Sequence, residues 1–276
     1  MIPFPFTYWQ PQTLAEAVDA YQNCMGRGDK PLYFSGGTEI ITMGRVNSLT
    51  FDAVIDLKKI PELLGLWRDG NRLFIGAAQT LNSIAAWNAF PLLTKCCTRV
   101  ADHTAQCKIT LGGNIAGTII YHEAALPLLL ASAQAECFGP EGARTVDISA
   151  LFSQKPSLKP GEFIVRFSLN DAVANLPFVH AKHVDSEKIG YPLFTLAAIR
   201  EKASVRAAVS GLYSYPVLLT FSNADAKPEP YYLEEQLSSQ LQEQPLSDVL
   251  GSGEYRLFRL KAALCDMMER LKEDLH

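Results

Sequence analysis

Apolar side chains at helical spacing open the chain. Leu14, Ala17, Val18 and Tyr21 form a stripe behind Thr13-Leu14-Ala15-Glu16, a capping box that predicts a helix start. Gly26, Gly28 and Asp29 are expected to end it. Leu32-Tyr33-Phe34 reads as a short buried strand running into Ser35-Gly36-Gly37-Thr38, and Ala53 to Leu57 as a second strand. Leu64–Trp67 and Arg72–Ile75 flank Asp69-Gly70-Asn71, a hairpin signal. Thr80 is placed as the cap of a helix running through Ile84 and Trp87. After Arg99 to Lys108, Leu111-Gly112-Gly113-Asn114 reads as a second glycine turn, followed by an apolar helix from about Glu123 to Ser132. A second hairpin pairs Ala135–Phe138 with Arg144–Asp147.

Ser153 to Gly161 is polar and contains proline, which marks a domain boundary. Strands are then expected at Phe163–Arg166, Phe178–Lys182, Thr195–Ile199 and Val205–Val209. Asn223 to Gly253, with Pro228, Pro230 and Pro245, reads as a loop carrying short helical pieces. Leu257, Leu260, Leu264, Met267 and Leu271 then form the stripe of a closing amphipathic helix. Hairpins are frequent and no strand–helix repeat is regular, so the fold class is α+β rather than a doubly wound sheet.

Length and composition narrow the function. The 276 residues correspond to about two domains at roughly 150 residues each. Hydrophobic residues make up 48% and charged residues 20%, a balance that buries a core. With 25 basic and 29 acidic side chains the net charge is -4, which excludes a broadly basic nucleic-acid binder. Met1-Ile2-Pro3-Phe4-Pro5-Phe6 does not read as a signal peptide. The longest apolar run, Ala124 to Ala135, is shorter than the roughly 20 residues of a membrane span. Six scattered cysteines without Cys-x-x-Cys spacing fit reduced, buried thiols and a cytoplasmic location. Cys96-Cys97 is read as packing.

The two glycine motifs carry the candidate chemistry. Paired glycines let a backbone approach a ligand closely and adopt positive φ, and consecutive N–H groups can nest phosphate oxygens beside the Ser35, Thr38 and Thr110 hydroxyls. Each motif alone is more often a structural turn; two of a kind beside buried strands fit the two phosphates of a dinucleotide. The Rossmann fingerprint, the P-loop and the nucleophile elbow are all missing. No His-x-x-x-His pair suggests zinc. Glu123 reads either as helix N-terminal polarity or as a carboxylate for a ribose. Lys182, Lys188 and Tyr191 read either as a charged surface loop or as a cofactor lining, with Tyr191 able to cover a planar ring.

Several motifs in order are similar to one family. Phe4-x-Phe6-x-x-Trp9-x-Pro11-x-Thr13-Leu14-x-Glu16-Ala17, Ser35-Gly36-Gly37-Thr38-Glu39, Ile75-Gly76-Ala77-Ala78-Gln79-Thr80, Thr110-Leu111-Gly112-Gly113-Asn114-Ile115-Ala116, Pro160-Gly161-Glu162-Phe163-Ile164 and Ser210-Gly211-Leu212 resemble the FAD-binding subunit or domain of molybdenum hydroxylases. This is the family of the xanthine dehydrogenase and carbon monoxide dehydrogenase medium subunits. The resemblance covers about residues 1–215. It departs after the second motif, where Gly117 to Glu123 replaces a Ser-Pro-x-x-Asp segment and Glu123 stands in for its acid.

The resemblance implies a PCMH-type FAD-binding fold. A domain over 1–168, with subdomains of about 1–56 and 57–168, would hold the dinucleotide, and a C-terminal α+β flavoprotein domain over 169–276 would cover it. The cofactor-binding residues it implies are Phe34, Ser35, Gly36, Gly37, Thr38, Glu39, Thr80, Thr110, Leu111, Gly112, Gly113, Asn114, Glu123, Ile164, Lys182 and Tyr191. No protein acid or base is expected to be catalytic. The implied cofactor is noncovalent FAD, with NAD+ as one acceptor. Molybdopterin and iron–sulfur clusters belong to partner chains, a large subunit and a 2Fe-2S small subunit, in a dimer of heterotrimers. The activity expected is that of a xanthine dehydrogenase-like oxidoreductase subunit, inactive alone on the organic substrate. The alternatives are a stand-alone FAD oxidase of the same fold and an assembly subunit without flavin.

Overall fold

The computed structural model describes residues 2–152, 158–184, 190–222, 230–241 and 243–273. The first layer is a parallel sheet of β1 (Thr7–Trp9), β2 (Pro31–Phe34) and β3 (Ala53–Asp56), in the order β1-β3-β2, with α1 (Leu14–Gly26) and α2 (Thr38–Arg45) as connections. Thr13 caps α1, its hydroxyl accepting from Glu16 N–H at 3.2 Å. The Glu16 carboxylate reaches back to Gln12 N–H at 2.7 Å, one residue before the position a capping box uses. The buried Ala17, Val18 and Ala20 of α1 pack toward this sheet, in one cluster with Ile55 of β3. Phe34 and Asp56 are in register, so β2 and β3 release their following segments side by side.

The middle layer begins with β4 (Leu66–Asp69) and β5 (Arg72–Gly76), the expected hairpin shifted two residues at its start because Leu64 N–H still closes the 3-10 turn Pro61–Leu63 on Pro61 C=O at 3.0 Å. Helices α3 (Leu81–Trp87), α4 (Pro91–Cys97), α5 (His103–Gln106), α6 (Leu111–Ala116) and α7 (Ala125–Leu130) follow, then β6 (Gln134–Gly139), β7 (Gly142–Asp147) and β8 (Phe163–Asn170). The antiparallel sheet runs β4-β5-β8-β6-β7. Two expectations change here. The Leu111–Asn114 motif is the first turn of a helix, with Thr110 as its cap, rather than a glycine turn beside a strand. The polar stretch at Ser153–Gly161, of which 153–157 lie outside the described residues, does not separate β8 from this layer: β8 is the sheet's central strand.

The third layer follows α8 (Asp171–Ala174). It is the antiparallel sheet β12-β11-β10-β9, built from β9 (Phe178–His183), β10 (Phe194–Glu201), β11 (Ser204–Ser210) and β12 (Val217–Phe221). β10 is buried along all but its last residue because both faces are covered. Phe194, Leu196 and Ala198 join the cluster containing α10 (Gly253–Glu273), while Ala197 and Ile199 join the cluster containing α7. The stripe on α10 is as expected, with Leu260, Leu264, Met267 and Leu271 buried. Beside it Arg256 is fully buried, donating to the Leu193 and Gly211 carbonyls and to Asp248 at 2.6 Å. α9 (Pro230–Gln240) packs on the same side; 223–229, part of the expected polar loop, lie outside the described residues. The architecture is α+β. Among the described residues no helix is long and apolar enough to cross a membrane.

Candidate functional site

At the end of β2 the chain makes the bend Ser35-Gly36-Gly37 and enters α2 at Thr38. Gly37 sits at φ 70°, the left-handed region that glycine tolerates. A Cβ there would also lie 2.2 Å from the Phe34 ring. Gly36 serves a different end. A Cβ on it would stand 2.1 Å from Lys108 O and 3.1 Å from Thr110 N, so its bareness lets the first motif touch the residues leading into the second. The N–H groups of Gly36 and Gly37 donate to no acceptor among the described residues. The Ser35 hydroxyl is buried there without a hydrogen-bond partner. Two unengaged amides, an orphaned hydroxyl and a helix start form a cradle for an anion.

A charged cluster that the sequence reading overlooked lies under this bend. Lys58 Nζ donates to both Asp56 oxygens at 2.8 Å and to Ser35 C=O at 3.0 Å, and stands 4.5 Å above the Phe34 ring. The Tyr8 hydroxyl donates to Asp56 from the other side. Burial pushes the Asp56 carboxyl up, but hydrogen bonds from Lys58 and Tyr8 hold it below its usual value. Bonding to Asp56, then burial, pushes the Tyr8 hydroxyl up to about 12.

The second motif is built differently. Leu111 N–H bonds Gln79 C=O at 2.9 Å and Gly112 N–H bonds Ala77 C=O at 2.8 Å. Gly113 N–H bonds the Thr110 hydroxyl at 3.3 Å, and Asn114 N–H bonds Thr110 C=O at 2.9 Å. Its amides are therefore spent inside the fold, a correction to the expectation that both motifs present a free nest. Gly112 is bare because a Cβ would lie 2.8 Å from Ala77 Cβ. Leu111 is core, Thr80 caps α3 and bridges Thr110, and Asn114 Oδ1 accepts from Ala124 N–H at 3.2 Å. Glu39 ties the motifs together, accepting from Thr118 N–H at 2.9 Å and from the Thr118 hydroxyl.

Glu123 and Lys182, expected at the cofactor, face each other inside the molecule. Their side chains are 5% and 3% exposed, with Lys182 Nζ 3.1 Å from Glu123. Thr195 Oγ1 donates to Glu123 at 2.7 Å, and Lys182 also donates to Arg99 C=O at 2.7 Å. Both Glu123 oxygens are thus engaged inside the fold; nor is Lys182 part of a surface loop, since it lies on β9. Burial pushes the Glu123 carboxyl up against the opposing pull of Lys182 and Thr195. Ile164, the second residue of β8, is buried in the core. Tyr191 is 62% exposed and stacks on Tyr121 with centroids 4.8 Å apart. Lys188, on the same stretch, lies outside the described residues. Burial, then Cys97, pushes the Cys96 thiol well up, as suits packing.

Comparison with known proteins adds relatives to this geometry. A family model described as the FAD binding domain in molybdopterin dehydrogenase matches residues 4–169. The carbon monoxide dehydrogenase medium chain of Afipia carboxidovorans is 28% identical over 170 residues, 59% of this chain and 58% of that one. The medium chain from Hydrogenophaga pseudoflava is 30% identical over 156 residues, 55% and 53% of the two. The matched region thus spans a little over half the length of these curated relatives. Among solved structures, the cyanide-inactivated Cu,Mo-CO dehydrogenase superposes with a TM-score of 0.85 at 21% identity, covering 99% of both chains. Quinoline 2-oxidoreductase from Pseudomonas putida 86 gives 0.84 at 19% identity, again covering 99% of both. These two likenesses are of fold.

Proposed function

We propose, for a chain that belongs to the family of FAD-binding domains of molybdopterin dehydrogenases, that it is the flavin-carrying electron-transfer subunit of a multisubunit molybdenum hydroxylase. The observation that carries this reading is the bend at Ser35–Thr38, with two unengaged amides and a buried, partnerless hydroxyl. Gly36 and Gly37 N–H would hold the diphosphate, with the Ser35 and Thr38 hydroxyls donating beside them. The second motif keeps its partner bend in place through the contact at Gly36, and Gly113 is its exposed member. The Tyr121–Tyr191 stack is the aromatic surface we assign to the flavin ring. FAD bound there supplies reversible one- and two-electron transfer, while the protein sets its position and surroundings. The bond is noncovalent, since neither motif contains histidine.

The organic substrate is oxidised elsewhere on this reading. A molybdopterin-binding large subunit and a 2Fe-2S small subunit are the partners, in a dimer of heterotrimers, with NAD+ or another oxidant as electron acceptor. The curated relatives favour a carbon monoxide dehydrogenase-type assembly over a xanthine dehydrogenase-like one. The first two sheets lie within 7–170 and the third within 178–221, which supports a flavin-binding domain over 1–168 and a C-terminal domain over 169–276. Six free thiols support a cytoplasmic location. Calorimetric titration of the purified chain tests the core of the reading. FAD is expected to bind with one-to-one stoichiometry, ADP to compete, and the complex to be yellow. Failure to take up FAD overturns it, and oxygen-dependent turnover of small alcohols by the isolated chain would favour the oxidase instead.

A further inference from the structure

The cluster beneath the first bend touches that bend through a single atom, the Ser35 carbonyl oxygen. Parallel register places Phe34 beside Asp56, so the bend leaves β2 next to the turn Leu57–Lys59 that leaves β3. Asp56 caps that turn, accepting from Lys58 N–H at 3.0 Å, and thereby aims the Lys58 side chain back over its own carboxylate. The ammonium has three hydrogens, and its partners match that number: two Asp56 oxygens and Ser35 C=O. Tyr8, from β1, occupies Asp56 on the far side and fixes the carboxylate itself. All three strands of the first sheet thus converge on one peptide group.

That peptide group is the one joining Ser35 to Gly36. In a trans peptide the N–H points opposite to the C=O, so a cation holding Ser35 C=O also fixes the direction of Gly36 N–H. Glycine at 36 and 37 gives the bend wide backbone freedom, and nothing else among the described residues bonds this carbonyl or the two amides. There is an electrostatic consequence too. Asp56 is 3% exposed and would place a bare negative charge beneath a site for an anionic diphosphate; Lys58 neutralises it.

We infer that Lys58, held by Asp56 and Tyr8, is a positioning residue for the diphosphate site, orienting the Ser35–Gly36 peptide so that its amide is presented to the cofactor. The inference rests on the flavin reading above. Lys59 is its internal control: it carries the same charge one residue away, is exposed, and bonds nothing at the bend.

The test measures FAD dissociation constants of the full chain for wild type, Lys58→Met, Lys58→Arg and Lys59→Met, and hydrogen exchange of the segment spanning 33–40 without ligand. Lys58→Met is expected to weaken FAD binding at least tenfold and to speed exchange of the bend. Lys58→Arg should keep affinity within about threefold, and Lys59→Met within twofold. Equal losses in Lys58→Met and Lys59→Met would reduce the effect to general charge and overturn the inference. So would a Lys58→Met protein that binds FAD within twofold of wild type. A wild-type chain that binds no FAD overturns the flavin reading itself, a distinct outcome.

Discussion

Gly36 shows how one missing side chain can join two sequence motifs. Its hypothetical Cβ meets backbone, Lys108 O at 2.1 Å, and a backbone atom cannot swing aside as a side-chain end can. Gly36→Ala is therefore expected to separate the two motifs, weakening FAD affinity about 100-fold and costing about 1–3 kcal/mol of stability. Calorimetric titration and urea unfolding would read the two effects. Glu123 teaches the opposite lesson. As an acid just ahead of an apolar helix it looks available to a ligand, yet the fold gives both its oxygens to Lys182 and Thr195. Lys182→Met would strand a buried carboxylate, at a cost of about 3–5 kcal/mol. Removing both charges with Glu123→Leu and Lys182→Met should cost less than the sum of the single changes, a deficit that a double-mutant cycle in urea measures.

At the scale of elements, short helices depend on their caps. α6 has six residues, too few to persist by intrinsic propensity, and two of them are glycine. It holds because Thr110 satisfies Gly113 N–H and because Ala77 and Gln79 carbonyls take two further amides. Thr110 is 1% exposed, so water cannot readily replace its hydroxyl. Thr110→Ala should cost about 1–2 kcal/mol and loosen the second motif, seen as a lower urea midpoint with faster amide exchange across 110–117. The exposed Thr13 cap of α1 should be the milder loss, at about 0.5–1 kcal/mol.

For the molecule as a whole, the seam between the second and third layers sets the response to acid. His180 on β9 is pushed down to about 4 by burial, then by the charges of Arg99, Lys95 and Lys182. His122 is also lowered, first by burial, and so is His183, which lies outside this seam on the face of β9 toward Arg259 of α10. A histidine with a folded pKa below its unfolded 6.5 takes up its proton first in the unfolded chain. Stability should therefore fall as pH drops below about 6.5, by at most about 1.4 kcal/mol per pH unit for each histidine, less the part that solvent screens. For His180 the loss continues to about pH 4. Asp56 and Glu162, held below their usual values by hydrogen bonds from Lys58 and Arg144 that outweigh burial, lose their contribution in more acidic solution still. Urea midpoints from pH 7 to 5 should decline, and His180→Asn should flatten that slope.

The sequence by itself determined most elements of this chain, because period and capping are local. The α1 stripe, the second hairpin, the closing helix and the strands β9 to β11 stand where the pattern places them, and the first hairpin does so with its opening strand two residues late. It also determined which glycines matter, since bare backbone beside hydroxyls is visible in a string of letters. Only the tertiary structure decided what those glycines do. Local pattern cannot tell a helix start from a glycine turn when the partners of Leu111 and Gly112 lie more than 30 residues earlier, at Gln79 and Ala77. Nor could it show that β8 closes the sheet begun by β4 and β5, or that Lys58 reaches Ser35, because both depend on which strands become neighbours. Glu123 and Lys182 belong to the same class: two charges 59 positions apart attract only once packing has removed the water between them.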